Sequence, residues 1–236
     1  MEEEFDWGER ARRGFLASGV DPGDRRGYKN AYIDLLQKMA LGEVLDLRGN
    51  ETVLDFGCGS GRWSYWIAPR VGKVIGLELT PEMIELAERH RGAENVEFMV
   101  YDGVHFPHLG GPVDLVLSVG VLLTMGEEIL RKTIVQLATY LKDGGRFYLI
   151  EQATDNPKIG RPSVETYLQS FREASLECLR HYPIRNGCWW LLYLIRYGFI
   201  PQRFFPQIAR TEIRRCRGKK KRISHYQDYL FVLAKK

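Results

Sequence analysis

No stretch of this sequence is apolar for long enough to cross a bilayer. The richest run, Cys188 to Ile195, is broken at once by Arg196 and falls well short of the roughly 20 residues a spanning helix needs. The amino terminus, Met1 to Trp7, is acidic and has no signal-peptide core. Cysteine is scarce, and Cys58, Cys178, Cys188 and Cys216 show neither C-x-x-C spacing nor a paired framework. That excludes a disulfide scaffold and argues against structural zinc. Together these absences predict a soluble protein of a reducing compartment, the cytoplasm. Also missing are internal repeats, low-complexity segments and the Gly-Lys-Ser/Thr tripeptide of a phosphate-binding loop. With 44% hydrophobic and 12% aromatic residues in 236, the chain can bury one sizeable core with elaborations.

What is present centres on residues 53 to 64. Val53, Leu54 and Phe56 read as a short strand buried on both faces. Gly57, Gly59 and Gly61 follow and let a ligand lie against the backbone, and a helix opens near Trp63. Strand, glycine loop and helix form the ligand-binding turn of an open α/β sheet. The third glycine comes one place too early for a dinucleotide fingerprint, with Arg62 standing where it would fall. Asp55, two residues before the loop, would repel a pyrophosphate and suits a cationic ligand.

The run from Val53 to Gly61 resembles the first motif of the class I S-adenosylmethionine-dependent methyltransferases, (V/I)LDxGCGxG. Further landmarks of that family follow in order. Val74 to Leu79 is a second strand ending in Glu78, 21 residues after Gly57, a spacing suited to ribose hydroxyls. Thr80 and Pro81 open the next helix. Asn95 to Val100 is a third strand, followed by Tyr101-Asp102-Gly103, where the family's Asp meets the adenine amino group. Val113 to Val119 is a fourth, Glu127 to Leu141 a helix with one apolar face, and Arg146 to Glu151 a fifth strand after a Gly-Gly turn. The resemblance implies an α/β fold with a seven-stranded, mostly parallel sheet, helices on both faces and an antiparallel last strand. It implies S-adenosyl-L-methionine (SAM) as cofactor and S-adenosyl-L-homocysteine as product. The cofactor would be held by Asp55, Gly57, Cys58, Gly59, Gly61, Glu78, Leu79, Asp102, Gly103 and Ser118.

Outside this core the pattern loosens. Residues 1–50 are read as an amino-terminal helical cap or lid, with a short helix over Glu9 to Leu16 and an amphipathic one over Tyr28 to Leu45. Residues 51–236 are read as the methyltransferase domain. A helix over Ser163 to Glu173 and a strand over Leu176 to Tyr182 precede the last strand, Tyr229 to Ala234. Between those strands lies an insert, residues 183–228, where the family has a short hairpin, and loops of that length are usually functional. The insert holds the aromatic run Cys188 to Ile195 and a basic tract, 214–222. From Arg203 to Lys236 the net charge is +9, so the remainder carries −5. That asymmetry fits an anionic partner or a solvated face equally well.

Transfer of a methyl from a sulfonium needs alignment and exclusion of water, and a base only for some acceptors. No proline follows Ser118-Val119-Gly120-Val121, no Pro-Cys pair occurs, and no acid pair suits a catecholate metal. Amide-type, cytosine-C5-type and metal-dependent catechol chemistry are thereby set aside, and no metal is expected. Among the base candidates His105, His108, His181, Glu151 and Tyr28, the catalytic choices are Glu151 and His105. Tyr28, Trp189 and Trp190 are taken as substrate-binding. The expected acceptor is a small molecule, whether a metabolite, a sugar or lipid-linked, with transfer to O or N. An RNA methyltransferase using the basic tract and a non-catalytic SAM-binding module are the alternatives.

Overall fold

The computed structural model describes residues 6–90, 92–218 and 225–236. Its centre is a seven-stranded sheet of β1 (Thr52–Phe56), β2 (Lys73–Glu78), β3 (Val96–Val100), β4 (Val113–Val119), β5 (Leu141–Ala153), β6 (Leu176–Asn186) and β7 (Gln227–Lys235). The order is β3-β2-β1-β4-β5-β7-β6. Strands β1 to β5 pair in parallel, while β7 runs antiparallel between β5 and β6. Alternate side chains enter different cores, as a two-sided sheet requires. Val53, Val74, Tyr148, Ile150 and Val232 join one cluster, and Leu54, Ile75, Phe147, Leu149 and Phe231 the other.

The second cluster is closed by α5 (Glu127–Tyr140) and α6 (Val164–Glu173) through Leu130, Ile134, Tyr167 and Phe171. The first is closed by α2 (Tyr28–Gly42), α3 (Arg62–Ile67), α7 (Leu191–Arg196) and α8 (Phe205–Arg217). The amphipathic amino-terminal helix and the insert are therefore one layer on one sheet face. A buried polar contact joins them: Tyr32 Oη donates to Glu212 Oε2 at 2.7 Å, and Glu212 Oε1 accepts from Asn186 N at 3.1 Å. A third, small cluster packs α1 (Trp7–Ala11) on α4 (Pro81–Arg89) through Ala11, Met83 and Leu86.

Several boundaries differ from those read in the sequence, three of them for a local reason. The first helix spans Trp7–Ala11, because Asp6 caps it by accepting from Glu9 N. Strand β5 begins at Leu141, with a register shift between Val113 and Leu115 opposite the Gly144-Gly145 turn. Strand β6 runs four residues past Tyr182, because Arg185 pairs with Asp228 across the ladder and through its side chain. Of the basic tract, Lys219 to Arg222 lie outside the described residues.

Candidate functional site

The carboxyl ends of β1, β2 and β4 open on a cleft of about 840 Å³, open solvent included. Its floor is the loop Gly57 to Ser60. Gly57 N and Cys58 N both donate to Leu77 O, at 2.8 and 3.0 Å, which pins the loop to the end of β2. Gly57 has φ +67°, and a Cβ there would overlap the Val121 side chain. Gly59, at φ +54°, is different, for a Cβ on it would meet no protein atom within 4 Å. Glu78 closes one side: its Oε2 accepts from Gly59 N at 2.9 Å and its Oε1 from Leu79 N and Thr80 N at 2.9 and 3.1 Å. Leu79, Met83, Tyr101, Val121 and Met125 make the walls apolar.

The amino-terminal segment completes the enclosure with Trp7, Ser18 and Gly19. It is fastened to the glycine loop where Ser60 Oγ donates to Phe15 O at 2.6 Å. A second, polar cavity of about 980 Å³ adjoins the first. Trp7, Gly19, Arg62, Val119, Gly120 and Thr124 line both. Most charges around the second cavity are paired. Arg185 forms a two-pronged pair with Asp228 (2.7 and 2.9 Å), Lys29 meets Asp21 at 2.7 Å, and Arg62 meets Asp34 at 2.7 Å. Arg161 Nε donates to the neutral Gln152 Oε1 at 3.2 Å.

Several residues singled out in the sequence stand in this arrangement. Gly57, Cys58, Gly59, Glu78 and Leu79 line the first cleft, and Glu151 lines the second. Glu151 is engaged with the backbone. Its Oε1 accepts from Val121 N and Leu122 N at 2.8 and 2.9 Å, and its Oε2 from Leu123 N at 3.1 Å. Burial pushes its carboxyl up to about 8 against the opposing pull of those N–H groups. It thereby fixes the turn that divides the cavities, Val121 facing the first and Leu123 the second.

Others are placed elsewhere. Asp55 lies behind the glycine loop and accepts from Ser64 Oγ at 2.6 Å; burial raises its carboxyl to about 6. Gly61, at φ +77°, packs against Phe98, Ala87 and Tyr65. Ser118 is fully buried in β4, its Oγ without a hydrogen-bond partner. Asp102 is turned to its own loop: Oδ1 accepts from Val104 N and His105 N, and Oδ2 meets His105 Nδ1 at 2.7 Å. The backbone N–H of His105, more than any other contact, holds that carboxyl below the usual range. His105 itself is 85% exposed at its side chain and is not among the residues lining these two cavities. Gly103 packs near Leu79. Tyr28, Trp189 and Trp190, read from the sequence as substrate contacts, are not among the residues lining these two cavities. Tyr28 packs where a Cβ on Gly198 would sit, Trp189 lies against the core, and Trp190 is 68% exposed.

Sequence reasoning missed Trp7, Gly19, Arg62 and Arg161. Only Arg62 carried a local signal, as the arginine directly after the last loop glycine. The others arrive from distant segments.

Residues 53–145 match a family described as a methyltransferase domain. The chain is 29% identical over 143 residues to the demethylmenaquinone methyltransferase of Lactococcus lactis, covering 58% of this chain and 56% of that protein. It is 32% identical to phosphoethanolamine N-methyltransferase 1 of Triticum aestivum, over 46% of this chain and 22% of that one. The chain spans about half the length, or less, of these curated relatives. Among solved structures, the partner of the Trm112 methyltransferase activator from Haloferax volcanii superposes with a TM-score of 0.66 at 21% identity. That match covers 98% of this chain and 97% of the other. The geranyl diphosphate C-methyltransferase of Streptomyces coelicolor, solved with S-adenosyl-L-homocysteine, gives a TM-score of 0.62 at 19% identity, covering 85% and 75%. A glycine cradle at the end of β1, an acid at the end of β2 and this sheet order thus coincide with the sequence match: over residues 53–145 the chain is similar to a methyltransferase domain.

Proposed function

We propose that this protein binds SAM in the glycine-floored cleft and transfers its methyl group to an anionic small molecule held in the adjoining polar cavity. The observation that carries the reading is the junction of the two cavities at Arg62, Gly120 and Thr124, one enclosed and largely apolar, the other charged. The first cleft fits the cofactor: Gly59 leaves open space beside the loop, Glu78 retains lone pairs after its backbone bonds, and apolar side chains flank a flat ring. Gly57, Gly59, Glu78 and Leu79 would hold it. Bound SAM supplies a methyl carbon on a sulfonium, with a neutral thioether as leaving group.

The chain's own residues supply position and dryness. Glu151 orients the dividing turn. Trp7, Ser18 and Gly19 roof the cleft as a lid, consistent with residues 1–50 acting as a cap. In the second cavity Arg161 and Lys29 add positive charge beyond what Asp21 offsets, and a protonated Glu151 adds none that opposes it. A carboxylate or phosphate on the acceptor is the group such a site favours. The relative named for phosphoethanolamine is compatible with this. RNA methyltransferases also match, over 54 to 63 residues and 12–14% of their lengths, too little to carry an RNA acceptor here.

Calorimetry and turnover test the reading. Glu78→Ala should weaken SAM at least tenfold. Arg161→Ala should leave SAM affinity within about twofold and raise KM for whichever phosphorylated or carboxylated metabolite a panel brings to turnover. Unchanged SAM binding in Glu78→Ala refutes the cofactor site; neutral acceptors preferred over anionic ones refute the acceptor class.

A further inference from the structure

Helix α7 carries apolar residues on both its inner and its outer side, with Arg196 as its one charged residue. Leu192 and Ile195 are buried in the core under it. On its outer side Trp190, Tyr193, Leu194 and Tyr197 follow at i, i+3, i+4 and i+7, one stripe of a helix, and are 68, 66, 36 and 54% exposed. Phe199 (74%) and Phe204 (41%) continue the surface. Six of the twelve exposed large hydrophobic residues among those described thus fall within residues 190–204. A helix apolar on both sides is covered by something on its outer face, and a contiguous exposed patch of this kind marks an interaction site.

The surrounding charge says what covers it. Between Gly187 and Gln227 the sequence has Arg at 196, 203, 210, 214, 215, 217 and 222 and Lys at 219, 220 and 221, against a single acid, Glu212. Glu212 is 2% exposed and already bonded to Tyr32 and Asn186, so it offsets nothing at the surface. Arg203, Arg210, Arg214 and Arg215 are exposed, and Arg203 lies 4.9 Å from the Phe204 ring centre. Exposed Trp, Tyr and Phe with Arg beside them and no acid match the interfacial zone of an anionic bilayer, where aromatic rings sit at headgroup depth and Lys/Arg meet lipid phosphates. A nucleic-acid platform would carry its cations along the stripe. Here the one arginine within it, Arg196, turns back to donate to Gly23 O at 2.6 Å and approaches Asp21 at 3.7 Å. That contact sets the stripe beside the rim of the polar cavity, which Asp21 lines.

We propose that residues 190–204, with Arg210, Arg214 and Arg215, form a peripheral docking surface for anionic lipid membranes. The proposal does not depend on the methyl-transfer reading. The test is flotation of the full chain with vesicles of phosphatidylcholine alone and of phosphatidylcholine with 30% phosphatidylglycerol. The wild type should float with the anionic vesicles only. Trp190→Ser/Tyr193→Ser/Phe199→Ser, folded by circular dichroism, and separately Arg203→Glu/Arg210→Glu should each reduce the bound fraction at least fivefold, with SAM affinity unchanged. Failure of the wild type to float, or full binding by either variant, overturns the proposal. So does a wild-type dimer in sedimentation that the triple variant abolishes, which would assign the stripe to a second copy, or preference for a 20-nucleotide RNA over the vesicles.

Discussion

Removing Asp228 alone should damage this protein more than removing Asp228 and Arg185 together. The pair is 3 to 4% exposed at its side chains, holds two hydrogen bonds at 2.7 and 2.9 Å, and Asp228 also accepts from Gln37 Nε2 at 3.3 Å. Asp228→Ala strands a guanidinium among buried partners, which typically costs about 3–5 kcal/mol. Replacing both ions by apolar residues of similar volume removes the desolvation penalty with the attraction and is often close to neutral. With a urea m-value of about 2–3 kcal/mol/M for a domain of this size, Asp228→Ala should lower the unfolding midpoint by roughly 1–2 M. Arg185→Met/Asp228→Leu should stay within about 0.5 M of the wild type. Urea titration followed by tryptophan fluorescence and circular dichroism reads both. If the single variant unfolds within 0.3 M (roughly 1 kcal/mol) of the wild type, the pair is solvated through the polar cavity and the argument fails.

Two further outcomes follow from the site. Gly57→Ala meets a positive φ and the Val121 side chain together. It should destabilise the fold by about 2 kcal/mol or more and weaken SAM in calorimetry, and a wild-type-like result on both counts would refute the close approach. Asp55 titrates near 6 in the folded chain because burial outweighs its bond from Ser64, against about 3.9 unfolded. The folded state thus holds the proton more tightly. The group's contribution is fully present below about pH 3.9 and is lost as pH rises through about 6, by roughly 3 kcal/mol. Asp55→Asn should remove that part of the pH slope in urea melts between pH 4 and 7, and an unchanged slope would place the carboxyl in contact with solvent.

The glycine loop, the acid after β2 and the alternating strands were legible in the sequence because each is a local pattern. Val53 to Gly61 fixes backbone geometry within nine residues, whatever lies around it. Orientation was not legible. Asp55 reads as a ligand group by its place beside the loop, yet strand alternation turns it behind, where Ser64 is one helical turn into α3. Glu151 reads as a base at the mouth of a strand, and only the turn after β4 shows that its oxygens are already committed. The aromatic run does not all pack inward. Leu192 and Ile195 do, while Trp190 and Tyr193 do not, since an all-apolar segment carries no periodicity to say which side meets the core. Trp7, Gly19 and Arg161 reach the cavities from segments far apart in the chain, which no spacing rule can register.

The bond from Tyr32 to Glu212 joins residues 180 positions apart. Around it, α2 and α8 share one hydrophobic layer, so the first long helix of the chain has no finished surface to rest on until nearly the last one exists. During synthesis from the amino terminus, Tyr32, Leu36 and Leu41 wait exposed while almost the whole polypeptide emerges, and the layer closes late, across a long loop, in a single non-local step. The same dependence makes α2 and α8 mutually protective. Trimming the amino-terminal segment would bare the face of α8 as well as open the cleft, and losing α8 would release α2. Damage to either helix should therefore be felt across the shared layer.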